Sequence, residues 1–219
     1  MFHKPIQIQD IALSFPHQSC FEDFSTQITC GNRIGIIGKN GSGKTSLLKI
    51  LCQEMEPTYG IVRVPDGVVW GYVPQVVTHF DAFSGGERFQ AALSQVLSKQ
   101  PHVLLLDEPT NHLDRHHKNA LIRMLRNYEG TLIVVSHDVD VLRACVDILW
   151  HIEPISLNSA GARHHGTLRV FAGNYDDYVR EINAQRFSWE EELYQLWRQK
   201  KETHQALMKE QERAKKSNL

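Results

Sequence analysis

The sequence has few of the features that mark disulfide-rich, zinc-binding or membrane proteins. Its four cysteines (Cys20, Cys30, Cys52 and Cys145) are scattered and form no CxxC pair, which favours reduced thiols in a cytosolic protein over a disulfide framework or a zinc site. No apolar run approaches the roughly 20 residues that a membrane span needs, and the first ten residues contain no apolar core of a signal peptide. We therefore expect a cytoplasmic protein without direct membrane insertion.

An excess of charge of one sign is also lacking. The net charge is −1, so the chain as a whole carries no electrostatic footprint for nucleic acid. Glycine and proline are missing from residues 174–219, which are rich in Glu, Lys, Gln and Arg and therefore predict a long exposed helix. We place one domain at 1–172 and a helical linker or extension at 173–219.

Strand and helix patterns alternate along the first 172 residues. Residues 6–15 alternate apolar and polar side chains, which predicts a half-buried strand. Continuous apolar runs at 103–107 and 131–136 predict strands buried on both faces, and residues 44–55 have helical spacing after the strand-like run 33–38. This order predicts an α/β fold with a largely parallel central sheet. Further predicted elements are strands at 61–64, 68–73 and 147–152, and helices from Phe89 to near Gln100 and over 119–128.

A glycine-rich loop lies between the second predicted strand and the helix after it. Its sequence, GKNGSGKT, matches the P-loop pattern GxxxxGK[ST] in the context that the pattern requires. The glycines allow backbone N–H groups to surround phosphate, Lys44 can reach the β- and γ-phosphates, and Thr45 can offer a hydroxyl to Mg²⁺. The loop therefore predicts ATP and Mg²⁺ as ligands. Its predicted binding residues are Gly38, Lys39, Asn40, Gly41, Ser42, Gly43, Lys44 and Thr45.

Ionisable side chains follow the two buried strands. Asp107 and Glu108 come after 103–106, and His137 comes after 131–135, where open α/β sheets place their ligands. Asp107 suits a Mg²⁺ ligand, Glu108 a general base for an attacking water, and His137 a contact to the γ-phosphate. A solvated acidic pair and a surface histidine are the plainer alternatives.

Two glycines lie at the start of a predicted helix, in Ser84-Gly85-Gly86-Glu87. Ser84 and Glu87 alone fit a capping box, but each glycine there costs up to about 1 kcal/mol relative to alanine. Glycines at a helix N-terminus are favoured where an anion approaches the backbone closely. Phosphate binding by Ser84, Gly85 and Gly86 is therefore the second interpretation.

In their order along the chain, these motifs resemble the nucleotide-binding domain of the ATP-binding cassette (ABC) superfamily. The resemblance covers about residues 6–172 and implies a P-loop ATPase cassette with an N-terminal antiparallel β-subdomain. It implies that Gln75 is the Q-loop sensor and a Mg²⁺ ligand, Asp114 the D-loop residue and His137 the switch histidine. Phe15 lies where the family often stacks an aromatic on adenine, although a core aromatic is the alternative.

The Ser-Gly-Gly element implies an incomplete site in one cassette. In the family this element serves the ATP held by the opposite cassette. This chain contains one P-loop and one such element, so we expect catalysis to need a second cassette, in a homodimer or on another chain. The chain would then be a half-protein, a truncation, a pared-down homodimer or a C-terminal cassette.

Two motifs are similar to the ABC-F branch, whose members lack transmembrane domains and mostly act on ribosomes. These are Asp107-Glu108-Pro109-Thr110-Asn111-His112-Leu113-Asp114 and the segment 171–178, which resembles the exit into an ABC-F linker. One departure concerns the helical subdomain, since only residues 76–83 separate Gln75 from Ser84. A subdomain this reduced disfavours a transporter and leaves hydrolysis open.

Our leading hypothesis is an ABC-F-like ATPase or ATP-driven switch that acts on ribosomes. The alternatives are the ATPase subunit of a transporter and an ATP-binding remnant with little turnover. The lysines of 174–219 fit either contacts to RNA, which would be salt-sensitive, or the solvated face of a helix.

Overall fold

The structure, a computed structural model, describes residues 2–16, 18–76, 85–111, 113–153, 156–157, 163–164 and 166–217, with side chains up to residue 204 except at 156–157 and 163–164. Within these ranges, eleven strands and five helices follow one another along the chain. They are β1 Ile6–Phe15, β2 Gln18–Ile28, β3 Arg33–Gly38, α1 Lys44–Leu51, β4 Tyr59–Arg63, β5 Trp70–Val73, α2 Gly85–Leu97, β6 Val103–Asp107, α3 Arg115–Asn127, β7 Thr131–Val135, α4 Val139–Cys145, β8 Ile148–Glu153, β9 Ser156–Leu157, β10 Arg163–His164, β11 Thr167–Ala172 and α5 Tyr175–Ser217.

Nine of these strands form one mixed sheet in the order β4-β1-β2-β11-β8-β3-β7-β6-β5. From β8 to β5 every neighbouring pair is parallel, whereas β1 pairs antiparallel with both β2 and β4. The prediction of a mostly parallel core with an N-terminal antiparallel part is confirmed.

Complete burial explains why the central strands are almost entirely apolar and show no alternation of apolar and polar residues. All five residues of β6 and all five of β7 are buried, because helices cover both faces of such a sheet. Beside them, Trp150 of β8 meets Phe24 of β2 edge to face, with ring centroids 5.1 Å apart. This geometry is the one that aromatic quadrupoles favour.

The parallel register brings the carboxyl ends of β3, β6 and β7 to one edge of the sheet. Asp107 at the end of β6 lies opposite Val135 of β7, and Val135 in turn lies opposite Ile36 of β3. The P-loop, the Asp107-Glu108 pair and His137 therefore leave the sheet at neighbouring points.

Helix α1 ends four residues earlier than the apolar pattern predicts. It stops at Leu51 because Gln53 adopts a left-handed conformation, with φ +62°. The amide of Gln53 then donates to the carbonyl of Ile50, and that of Glu54 to the carbonyl of Lys49, which is the Schellman arrangement. A glutamine rarely adopts this conformation, so no residue type at this position signals the helix end.

Helices α2 and α3 also differ from their predicted bounds, α3 by beginning at Arg115 rather than at residue 119. Helix α2 begins at Gly85 rather than near Phe89 and ends at Leu97, so Gly85 and Gly86 both belong to its first turn. The predicted capping box depends on Ser84, which lies outside the described residues.

The chain divides into two compact units, Met1–Tyr175 and Asp176–Leu219. The second unit consists of α5, which agrees with the long helix predicted from composition. Within the part of the chain that the structure describes, no helix combines the length and the apolar character that a membrane crossing requires.

Candidate nucleotide site

A cleft of about 540 Å³ opens at the carboxyl edge of the parallel strands. Its volume is in the range typical of small-molecule sites. Ten residues predicted from the sequence line it together: Phe15, Asn40, Gly41, Gly43, Lys44, Thr45, Gln75, Asp107, Glu108 and His137.

The P-loop forms one wall of the cleft, and hydrogen bonds from its own Lys44 stabilise the loop. The Lys44 ammonium donates to the carbonyls of Gly38 and Lys39 at 2.9 and 3.0 Å. Gly41 and Gly43 adopt φ +78° and +97°, which orients successive amides toward one side. Burial lowers the pKa of Lys44, and the nearby charges of Glu108 and Asp107 oppose this shift. The loop thus offers an ammonium and a helix N-terminus to an anion.

Asp107 and Thr45 meet at the floor of the cleft. The Thr45 hydroxyl donates to Oδ2 of Asp107 at 2.7 Å, while Oδ1 is buried and has no hydrogen-bond partner among the described residues. Burial raises the pKa of the Asp107 carboxyl, and the Thr45 hydrogen bond and the Lys44 charge act in the opposite direction. A hydroxyl and a carboxylate with an unused oxygen fit a hard cation such as Mg²⁺.

Replacing Asp107 with asparagine should remove most of the effect of Mg²⁺ on ATP binding. The amide keeps the shape of the side chain but loses the negative charge that a divalent cation needs. The ratio of the ATP affinity with Mg²⁺ to the affinity in EDTA should be at least about tenfold smaller in the variant than in the unmodified chain. Titrations with MgATP and with ATP in EDTA measure the two affinities.

The control is Asp66→Asn, at an exposed position in the turn before β5, which should leave the Mg²⁺ effect unchanged. An Asp107→Asn chain with the full Mg²⁺ effect would contradict the assignment.

Glu108 and His137 form a pair above this floor. The two side chains are 3.3 Å apart between Oε1 and Nε2, and the His137 amide donates to Oε2 at 3.3 Å. The Glu108 side chain is 10% exposed. Burial raises the pKa of Glu108, and the charge and amide of His137 lower it. A desolvated carboxylate beside an open cleft is suited to accept a proton from water.

The backbone of Glu108 is strained. Its φ is +49°, a conformation that costs a non-glycine residue about 1–3 kcal/mol. Its amide donates to the carbonyl of Val135 at 2.8 Å, which fixes the turn after β6. Strain of this kind at the wall of a cleft supports a functional role for Glu108.

The other two predicted residues that line the cleft, Gln75 and Phe15, belong to the region of strands β5 and β1. Gln75 is exposed and lies two residues after β5, and Phe15 ends β1 with 43% of its surface exposed. This exposure favours a ligand-facing aromatic over a core aromatic at Phe15.

Three lining residues were missed by sequence reasoning: Ser46, Asn111 and Val135. Asn111 reaches the cleft because its amide donates to the Glu108 carbonyl at 3.2 Å, which turns the chain back. Its place within the Asp107–Asp114 motif was the available signal.

Several predicted residues do not line this cleft. Asp114 is the N-cap of α3, where its carboxylate accepts from the His117 amide at 2.8 Å, a hydrogen bond that lowers the pKa of Asp114. Gly85 and Gly86 form the first turn of α2, and Ser84 is outside the described residues. Gly38, Lys39 and Ser42 belong to the P-loop without being among the lining residues. The roles predicted for these residues stay predictions.

Comparison with known proteins agrees with this architecture. A family model described as "ABC transporter" matches residues 21–68 and 71–111. The solved dimeric post-hydrolysis structure of the ATP-binding cassette MJ0796, bound to ADP and Pi, superposes with a TM-score of 0.60 at 18% identity, over 67% of this chain and 93% of that chain. At this identity the likeness concerns the fold. The fold, the cleft and the family match together define an ATP-binding cassette of the ABC ATPase family, whose members in general bind ATP with Mg²⁺.

Sequence relatives indicate the branch of the ABC ATPase family to which the chain is similar. The chain is 35% identical to the erythromycin resistance ATP-binding protein MsrA of Staphylococcus epidermidis, over 70% of this chain and 34% of MsrA. It is 30% identical to the ribosome protection protein VmlR of Bacillus subtilis, over 85% of this chain and 36% of VmlR. The relatives are ABC-F-type ATP-binding proteins, which confirms the ABC-F-like prediction. The chain spans about a third of the length of these curated relatives.

Proposed function

We propose that this chain is an ATP-driven switch of the ABC-F type, in which MgATP joins the cassette to a second cassette and hydrolysis releases the pair. The observation that carries the proposal is that one cleft gathers the P-loop, the Asp107-Glu108 pair and His137.

In this proposal the P-loop wall binds the triphosphate. Lys44 exchanges its two carbonyl contacts for phosphate oxygens, and the N-terminus of α1 adds its positive end. Thr45 and Asp107 hold Mg²⁺, with Gln75 as a further ligand, and bound Mg²⁺ supplies positive charge that neutralises the phosphate oxygens. Phe15 stacks on the base.

Glu108 then acts on water. Its carboxylate accepts a proton from the water as the water oxygen attacks the γ-phosphorus, and the bond to the leaving phosphate oxygen breaks. His137 contacts the γ-phosphate and orients Glu108 through the two 3.3 Å contacts. The products are ADP and phosphate.

The position of Gly85 and Gly86 supports the proposal of a second cassette. Gly85 and Gly86 begin α2 and do not line the cleft of their own chain. As glycines at the N-terminus of a 13-residue helix, they suit the ATP of another copy, since backbone amides there can approach phosphate closely. Asp114 lies at the N-terminus of α3 and belongs to the same proposed interface.

The proposed target is the ribosome. Support comes from the relative VmlR, which is described as a ribosome protection protein, and from the basic stretch of α5 between residues 200 and 216. Lysines there would neutralise RNA phosphates, so binding should weaken as salt rises.

Cosedimentation with ribosomes tests this target. We expect Glu108→Gln, which binds ATP without consuming it, to pellet with ribosomes in MgATP several times more than in ADP, and to leave the pellet as salt is raised from about 50 to 200 mM. The double variant Glu108→Gln/Lys44→Ala is the matched control and should stay in the supernatant. Equal pelleting with and without ATP would contradict the switch.

A further inference from the structure

We propose that Lys118 is a positioning residue for ATP hydrolysis, which acts through Asp138 on the turn that carries His137. The inference rests on the proposed function, because it assigns a further residue to the placement of His137 beside Glu108. Lys118 lies on α3 and is outside the set of described residues that line the cleft. Its effect on the reaction is therefore indirect.

The turn that brings His137 to the cleft is short. Residues 136–138 separate β7 from α4. Within the turn, the amide of Asp138 donates to the Ser136 hydroxyl at 3.0 Å, and the amide of His137 donates to Oε2 of Glu108 at 3.3 Å. Because backbone amides make both hydrogen bonds, a displacement of the turn changes the distance between His137 and Glu108.

The Asp138 side chain connects this turn to two helices. Its Oδ1 accepts from the amide of Asp140 at 2.9 Å and so caps α4. Its Oδ2 lies 3.1 Å from the ammonium of Lys118 on α3. The side chains of Asp138 and Lys118 are 19% and 23% exposed, so the solvent screens this pair less than it screens fully exposed charges. The ion pair therefore fixes the turn to the neighbouring helix.

A second carboxylate holds Lys118 in place. The Lys118 ammonium donates to Oδ2 of Asp140 at 2.7 Å, and its hydrogen bonds to Asp140 and Asp138 raise the pKa of Lys118. The lysine is therefore charged at neutral pH. Without its charge, two carboxylates would lie close together within three residues of His137, and their repulsion would act directly on the turn.

The expected consequence of losing Lys118 is slower turnover rather than a loss of the fold. Ion pairs with this degree of exposure contribute little to stability. A displacement of about 1 Å in a group that orients the reaction, in contrast, can reduce the rate by up to about a hundredfold. ATP binding should be retained, because the P-loop and the proposed Mg²⁺ ligands do not contact Lys118.

Turnover and nucleotide binding of Lys118→Ala in the full chain test the proposal. We expect turnover at saturating MgATP to fall about tenfold, and the dissociation constant for MgATP to change by less than about twofold. Lys118→Arg should recover at least about half of the turnover, because a guanidinium can donate to both carboxylates. The control is Arg123→Ala, which removes a charge from an exposed position of the same helix and should leave turnover unchanged. Thermal unfolding checks that each variant folds.

A double-mutant cycle with Asp138→Asn tests whether Lys118 acts through Asp138. The asparagine oxygen can still cap α4, since asparagine and aspartate are similarly good N-caps, but the charge that faces Lys118 is lost. We expect Lys118→Ala/Asp138→Asn to be slower than Lys118→Ala by less than about twofold. Losses that add up in full would show two independent roles and would overturn the proposal.

The ring signals of His137 in nuclear magnetic resonance give a readout that needs no turnover. In a chain with isotopically labelled histidine, these signals, assigned with His137→Gln, should shift in Lys118→Ala and return in Lys118→Arg, whereas those of His3 and His151 should stay in place. His137 signals that do not respond to Lys118→Ala would overturn the proposal. An unmodified chain without turnover would instead contradict the proposed hydrolysis, and the ring signals would still decide whether Lys118 positions His137.

Discussion

Replacing Lys44 with alanine should weaken ATP binding by at least about a hundredfold. The ammonium is buried beside the P-loop, and charge-assisted hydrogen bonds contribute about 1.5–3 kcal/mol each, so two lost phosphate contacts reach this magnitude. Its present partners, the carbonyls of Gly38 and Lys39, would also lose the contacts that shape the loop. Calorimetric titration with MgATP measures the change.

The matched control is Lys49→Ala, which removes the same charge from an exposed position of α1 and should change the affinity by less than about twofold. An unchanged affinity in Lys44→Ala would show that ATP, if bound, does not use this loop. Thermal unfolding in the absence of nucleotide separates a local loss of binding from a loss of the fold.

Replacing Glu108 with glutamine should reduce ATP turnover by about two to four orders of magnitude while ATP still binds. General-base catalysis contributes this much, and an amide cannot accept the proton from water. The glutamine oxygen can still accept from the His137 amide, which donates to Oε2 of Glu108 at 3.3 Å. Phosphate release under saturating MgATP measures turnover, and equilibrium titration measures binding.

For this pair of measurements the control is Glu56→Gln, at an exposed position after α1, which should hydrolyse ATP at the unmodified rate. If Glu108→Gln also did so, the proton would have to go to another group and the role of Glu108 would be refuted. A chain that binds ATP but shows no turnover before substitution would instead support the ATP-binding remnant.

The central strands were predicted because they are buried on both faces. Strands β6 and β7 are buried on both faces, so their apolar runs mark them with nearly the observed bounds. Strand β2 was missed because its pairing with β1 contains repeated register shifts, which interrupt the alternation of apolar and polar residues. Strand β11 was missed for a different reason, since only Leu168 among its six residues is buried.

The residues of the site likewise include some that the sequence predicts and some that it does not. Lys44, Asp107 and His137 were predicted because each follows a recognisable strand or loop, and the parallel register then places them together. The contribution of Asn111 depends on the turn at Glu108, whose φ of +49° no glycine signals. Local sequence could not give that turn, because it is fixed by a hydrogen bond to Val135 of a different strand.

For α5, composition predicted the helix but not its surroundings. The absence of glycine and proline between residues 174 and 219 is a local property, and the helix follows from it.

The most direct test of the central claim, that ATP joins two cassettes, is sedimentation velocity of the Glu108→Gln variant with and without MgATP. Glu108→Gln retains bound ATP. The account predicts a monomer without nucleotide and a dimer in MgATP, and a monomer in both conditions when Lys44→Ala is added. A variant that binds MgATP and stays monomeric would contradict it.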